Sequence, residues 1–196
     1  DPGVFFDLHT TNGSYHGYVL TYAPGLNPNR NPASDFVRDR LLPTIRARMR
    51  ERHGERTFWY GNFRNQDPDS LKLGWETYDA RPRFGTNWMG LRGRLAVLSE
   101  GYSNAAFATR VQATYDFVHE VLQFVAEQGE TIESLVAQSD RQRPDSVVIQ
   151  SVLAPRYLVR RELGADDELP VLDPEEALPG ELEVVALHVD RPGLVA

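Results

Sequence analysis

Two short apolar runs, each ending in polar residues, organise the first part of the chain. Gly3-Val4-Phe5-Phe6-Asp7-Leu8-His9 is closed by Thr10-Thr11-Asn12-Gly13, and Arg94-Leu95-Ala96-Val97-Leu98-Ser99-Glu100 is followed by Gly101. Apolar stretches this short, bounded by turn formers, predict buried strands rather than helices. Asp7, His9 and Glu100 then stand at strand C-terminal ends. A strand's period of two lets Asp7 and His9 project to the same side.

Elsewhere the pattern is different. Ala23 to Pro32 carries three prolines and three asparagines and reads as loop. Ser34 is the expected cap of a helix to about His53, with Phe36, Leu41, Ile45 and Met49 near one face, Gly54 as the stop and Pro43 as a kink or break. Thr57 to Gly90 is rich in aromatics, Gly, Asn and Pro without sustained periodicity, which predicts a long irregular segment that shapes a site. Asn104 then caps a predicted helix to about Gln128, whose apolar face is Phe107, Val111, Tyr115, Val118, Leu122 and Val125.

After Gly129 the character shifts. From Glu162 to the end, ten acidic residues face the single Arg191. Residues 129–146 read as a linker, and 147–196 as a β-rich acidic tail or the start of a second module, with strands over 147–152, 157–159 and 182–189. The fold class expected is α/β: a mixed sheet with packed helices over 1–128, followed by that short β-rich segment.

Composition removes several functions. A net charge of −7 and a pI near 5.2 oppose binding to phosphate backbones, so nucleic acid is not an expected partner. The chain has no cysteine, which leaves His, Asp and Glu as the metal ligands available. No apolar run reaches the ~20 residues that span a bilayer. The chain starts at Asp1, without Met, and enters an apolar run at once, which suggests that an upstream segment is absent.

The chemistry-bearing residues have bland readings as well. Asp7-Leu8-His9 fits a metal-binding imidazole oriented by a carboxylate, and equally a surface pair. Glu100 fits a proton-transfer carboxylate, and equally a salt bridge to Arg92 or Arg94. His16, seven residues after His9 and across Gly13, has no zinc spacing and reads as a turn residue. Arg92 and Arg83 could meet a substrate carboxylate through bidentate hydrogen bonds.

Taken in order, DLHTTNGSYHGYVLTYAP and YDARPRFGTNWMGLRGRLAVLSEGYS resemble the third-ligand and catalytic-glutamate regions of the zinc carboxypeptidases, or funnelins. The resemblance covers about residues 3 to 128 and implies the C-terminal half of a catalytic domain. It implies that His9 is one zinc ligand, that Glu100 activates the water at the zinc, and that Tyr78, twenty-two residues before Glu100, closes over substrate. It further implies one zinc ion, a peptide or protein C-terminus as substrate, and hydrolysis of the C-terminal peptide bond, with the family's substrate-clamping Arg and Asn-Arg pair expected upstream of Asp1 rather than at Arg92. Analogy with bacterial members favours a secreted or periplasmic location.

The family's other two ligands come from an H-x-x-E motif, and none of His9, His16, His53, His119 or His188 has Glu three residues later. Those ligands are expected upstream of Asp1, and these 196 residues alone are expected to expose a sheet edge and to lack peptidase activity. D-L-H-T-T also resembles the strand end of aspartoacylase and succinylglutamate desuccinylase, which gives a zinc-dependent N-acyl-amino-acid deacylase as an alternative. A metal-free carboxypeptidase-like binding module is the third.

Overall fold

The computed structural model describes residues 2–11, 15–63, 75–153 and 184–190. Over these the chain is mixed α/β, with a four-stranded mixed sheet and helices packed on it. β1 (Val4–Thr11) runs parallel to β6 (Leu95–Tyr102), in register from Val4–Leu95 to Thr11–Tyr102. β2 (Leu20–Pro24) pairs antiparallel with β6, and β3 (Thr57–Trp59) lies parallel to β2. The order β1-β6-β2-β3 leaves β1 at an edge.

The period of two sorts the strand side chains between the faces. Leu95 and Val97 of β6 and Leu20 and Tyr22 of β2 enter the main core, and Val4 and Phe6 of β1 pack against it. Phe5 and Asp7 point the other way, beneath α3 (Gly85–Leu91). A Cβ added at Gly85 would meet Asp7 Oδ2 at 3.2 Å and the Phe5 ring at 3.4 Å. Ala96 faces α3 as well, 3.9 Å from where a Cβ on Gly90 would stand. By alternation His9 and Glu100 share that face.

The helix expected from Ser34 to His53 is present in three pieces. α1 (Pro32–Phe36) is capped one turn earlier than expected, by Asn31, whose Oδ1 accepts from Ser34 N–H at 3.0 Å while Ser34 Oγ accepts from Asn31 N–H at 3.0 Å. A π-helical turn spans Val37–Leu41, with Leu42 N–H bonding to Val37 O, and α2 (Leu42–His53) follows. Pro43 has no N–H to continue an α ladder, so the irregularity lies immediately before it. Gly54, at φ 69°, ends α2 in the left-handed region.

α4 (Phe107–Glu127) is present, and of the apolar face expected Val125 packs against the main core and Val118 is half-buried, but the rest of that face is not the one buried. Phe107, Val111, Tyr115 and Leu122 are exposed, whereas Ala113, Phe117, Val121 and Phe124 enter the core. Two polar residues are buried with them. Glu120 accepts from Arg52 Nη1 at 2.8 Å and lies 2.9 Å from His53 Nε2 of α2, and Asp116 lies 3.6 Å from His53 Nδ1. α4 thus meets α2 with a face that joins Phe117, Val121 and Phe124 in the core to Glu120 and Asp116 beside His53 and Arg52.

Most of the stretch expected as a linker is α5 (Gly129–Arg141), separated from α4 by Gln128 alone. Ile132 enters the main core, Ser139 Oγ accepts from Ala33 N–H at 3.2 Å, and Asp140 pairs with buried Arg94 at 2.7 Å. In the aromatic segment, β4 (Asn62–Phe63) and β5 (Trp75–Glu76) form a small antiparallel ribbon. β7 (Ser146–Leu153) pairs antiparallel with β8 (Val184–Asp190), with an irregularity between Val148 and Gln150.

The carboxamide of Asn29 fastens this second ribbon to the loop before α1. Its Nδ2 donates to Val148 O at 2.8 Å and its Oδ1 accepts from Val148 N–H at 2.7 Å. The strand expected at 157–159 and most of the acidic run lie outside the described residues. No helix among the described residues is long and apolar enough to cross a membrane.

Candidate functional site

Parallel pairing of β1 with β6 places His9 directly opposite Glu100 at the C-terminal ends of both strands. Neighbouring strands lie about 4.8 Å apart, so the two side chains are neighbours on the α3 face. Asp7 joins them by strand periodicity. His9 is half exposed, and its Nε2 lies 2.6 Å from Asp7 Oδ1. The second carboxylate oxygen of Asp7 accepts from Thr86 Oγ1 at 3.3 Å, which ties Asp7 to the first turn of α3.

Glu100 is buried, with 9% of its surface exposed. Burial pushes its carboxyl up to about 7; the His9 charge opposes that rise and the Asp7 charge adds to it. The sequence-level alternative, a salt bridge from Glu100 to Arg92 or Arg94, does not form. Arg94 Nη1 turns to Asp140, and Arg92 caps the C-terminal end of α3 with its guanidinium 5.7 Å from the Trp88 ring centre. β6 then carries the chain away, and the five steps from Leu95 to Glu100 span roughly 16 Å at ~3.3 Å each.

Arg92 is thus at the opposite end of the strand from the site. From the turn at Arg92 and Gly93 the chain enters β6, which runs extended to Glu100. Arg83 is nearer, exposed on the loop that carries Tyr78, with its guanidinium 4.4 Å from the Phe84 ring centre.

Tyr78 reaches the site. Its hydroxyl donates to Asn87 Oδ1 at 3.3 Å, and its ring stands edge-on to Tyr60 at 5.6 Å and to Phe84 at 5.1 Å. Burial raises the Tyr78 phenol above its ordinary range, and the charges of Asp7 and Glu100 add to the shift. Burial also raises Tyr60, followed by the Glu100 charge, while hydrogen bonds with Asn62 and Thr11 pull it back. Both hydroxyls keep their protons at neutral pH and remain donors near the Glu100 carboxyl.

Sequence reasoning missed Tyr60, Thr86 and Asn87. Tyr60 was hidden among the many aromatics of its segment, and nothing local marks it. Thr86-Asn87 directly after Gly85 was the available signal, since adjacent small polar residues at a helix start commonly serve local hydrogen bonding.

His16 takes no part. It is buried against Tyr102 at 4.4 Å and against Tyr18 and Trp75 at 5.8 Å each. Burial pushes its imidazole down to about 4, so it packs as a neutral ring.

The donor set fits one metal-ligand position. A half-exposed imidazole whose Nε2 is engaged by a carboxylate presents Nδ1 as the free lone pair, the arrangement that orients a ligating histidine. A zinc site takes three or four protein ligands, and no group of three metal-ligating side chains occurs among the described residues. Comparisons of this chain with protein-family models, with curated proteins and with solved structures return no match.

Proposed function

We propose that this chain carries part of a zinc carboxypeptidase site, with His9 as one metal ligand, Glu100 as general base and acid, and Tyr78 as the residue over the substrate. The observation that supports it most is the pairing of a rim histidine with a buried carboxyl across one strand ladder. A carboxyl held near pH 7 is matched to moving a proton at neutral pH. The separation of Tyr78 from Glu100 in the sequence and the influence of the Glu100 charge on the Tyr78 phenol in the fold support the same reading.

In this reading His9 is one of the residues that hold zinc, with Asp7 fixing its ring, and the remaining ligands come from outside the described residues. Bound zinc would supply a Lewis acid that polarises the scissile carbonyl. Glu100 accepts the proton of the attacking water and returns it to the leaving amine, so one carboxylate serves both steps. The Tyr78 and Tyr60 rings exclude water from the buried side of the site, with the Tyr78 proton held by Asn87.

The test uses the natural polypeptide that contains this sequence. It should release C-terminal residues from peptides, and a chelator should abolish the release. Glu100→Gln should lower kcat by ~10²–10⁴-fold with zinc content unchanged, and His9→Ala should lose the zinc. Full activity in Glu100→Gln overturns the reading. Release of an acyl group from N-acyl amino acids, with no peptide cleavage, points instead to the deacylase.

A further inference from the structure

Asn87 is fully buried, and its carboxamide is saturated. Oδ1 accepts from Leu26 N–H at 2.8 Å and from the Tyr78 hydroxyl at 3.3 Å. Nδ2 donates to the carbonyl oxygens of Asp79 at 2.8 Å and Arg81 at 3.1 Å. A primary amide offers two donor protons and two acceptor lone pairs, so nothing is left over. Three of the four partners are backbone groups, and all three are closer than the fourth. The backbone sets the plane of the amide, and Tyr78 takes the remaining lone pair.

A carboxamide oriented in this way cannot turn to follow the tyrosine. It is a fixed acceptor at one end of the Tyr78 side chain. Along the ring, Tyr60 and Phe84 stand edge-on. Tyr60 is itself anchored to the sheet, its N–H donating to Tyr22 O at 2.7 Å. Phe84 is the residue from which α3 starts. The Tyr78 ring is therefore held between groups that belong to the sheet and to α3.

We propose that Asn87 is the positioning residue of this site, holding Tyr78 beside Asp7 and Glu100 before any substrate arrives, so that the tyrosine is pre-set rather than recruited by binding. The role in turnover rests on the carboxypeptidase reading. The geometry does not. A pre-set side chain removes an ordering cost from binding, so its release should appear in KM rather than in kcat.

Ring flipping of Tyr78, followed by NMR of ring-labelled tyrosine in the 196-residue chain, needs no substrate. Asn87→Ala should speed the flips at least about tenfold, the effect of losing one hydrogen bond and its support. Asn27→Ala removes the bond from Asn27 Nδ2 to Ala80 O in the same loop, and the one Asn27 Oδ1 accepts from Asn29 N–H, without touching Tyr78, and should leave the rate within about twofold. Unchanged flipping in Asn87→Ala, or equal acceleration by Asn27→Ala, overturns the proposal. If Asn87→Ala does not fold, Tyr78→Phe removes the hydroxyl from Asn87 and Thr86 together, followed with labelled phenylalanine, and Thr86→Val removes only the second of these bonds to Tyr78. Faster flips in Tyr78→Phe than in Thr86→Val support the clamp, and equal rates overturn it.

In the natural polypeptide, Asn87→Ala should raise KM about tenfold with kcat within about twofold, and an unchanged KM overturns the role in turnover. Faster flips in a protein that hydrolyses no peptide leave the clamp standing and remove the peptidase reading alone.

Discussion

His9 and Glu100 face each other across the β1–β6 ladder, yet one stands half exposed at the rim and the other is buried beneath it. The asymmetry separates their chemistry: the imidazole is open to a ligand, while the carboxyl is kept from water and tends to hold its proton.

That tendency has a signature in stability. Glu100 titrates at 4.5 when unperturbed and at about 7 in the fold, so the folded state binds its proton more tightly than the unfolded chain does. Its contribution to stability is full below pH 4.5 and is lost as pH rises through 7. Relative to Glu100→Gln, which cannot ionise, the parent should lose ~2 kcal/mol between pH 4.5 and 8, after discounting for solvent at the site mouth. Urea denaturation at the two pH values measures this, and parallel curves contradict it.

His16 should behave oppositely. Burial lowers its pKa from 6.5 to about 4, so its contribution is full above pH 6.5 and is lost as pH falls through 4. His16→Phe keeps a ring in the aromatic pocket and removes the titration. Its stability should fall less than that of the parent between pH 6.5 and 4, by ~2 kcal/mol in denaturant melts. Equal losses would mean that the ring is hydrated.

The pairing between α2 and α4 is a third point of attack. Glu120 is 2% exposed, and although burial alone raises its pKa, bonds with His53 and Arg52 lower it overall. Glu120→Ala removes the acceptor shared by Arg52 and His53 and should cost about 2 kcal/mol. A cost below ~1 kcal/mol would show that the pair contributes little.

The two apolar stripes of α4 give a direct comparison. Phe117→Ala, in the core, should cost about 4 kcal/mol, whereas Val111→Lys on the exposed stripe should change stability by no more than ~0.5 kcal/mol. Similar costs at the two positions would mean that the helix is rotated from the orientation described.

The same helix illustrates what could be read from the chain alone. Helical periodicity was legible, but Phe107-Val111-Tyr115 and Phe117-Val121-Phe124 are both apolar series, and what marks the buried one is its contact with α2 at His53 and Arg52, far away in sequence. The strands were easier because β1 and β6 are continuous apolar runs, and a period of two then determines which way Asp7, His9 and Glu100 point. α5 escaped notice because only Ile132, Leu135 and Val136 interrupt a polar stretch. Arg92 was a candidate for its guanidinium chemistry alone, which carries no information on where the turn before β6 places it. The supports of Tyr78 depend on side chains meeting across loops, for which a single sequence carries little signal.

The junction at Asn29 has a consequence for how this molecule can change over generations. The Asn29 carboxamide meets β7 through the backbone of Val148, one N–H and one C=O, which every residue except proline provides. Side chains along β7 can therefore drift without loosening this joint, whereas replacing Asn29 itself loses both bonds together. The attachment is written almost wholly on one partner, so mutations should accumulate unequally on its two sides.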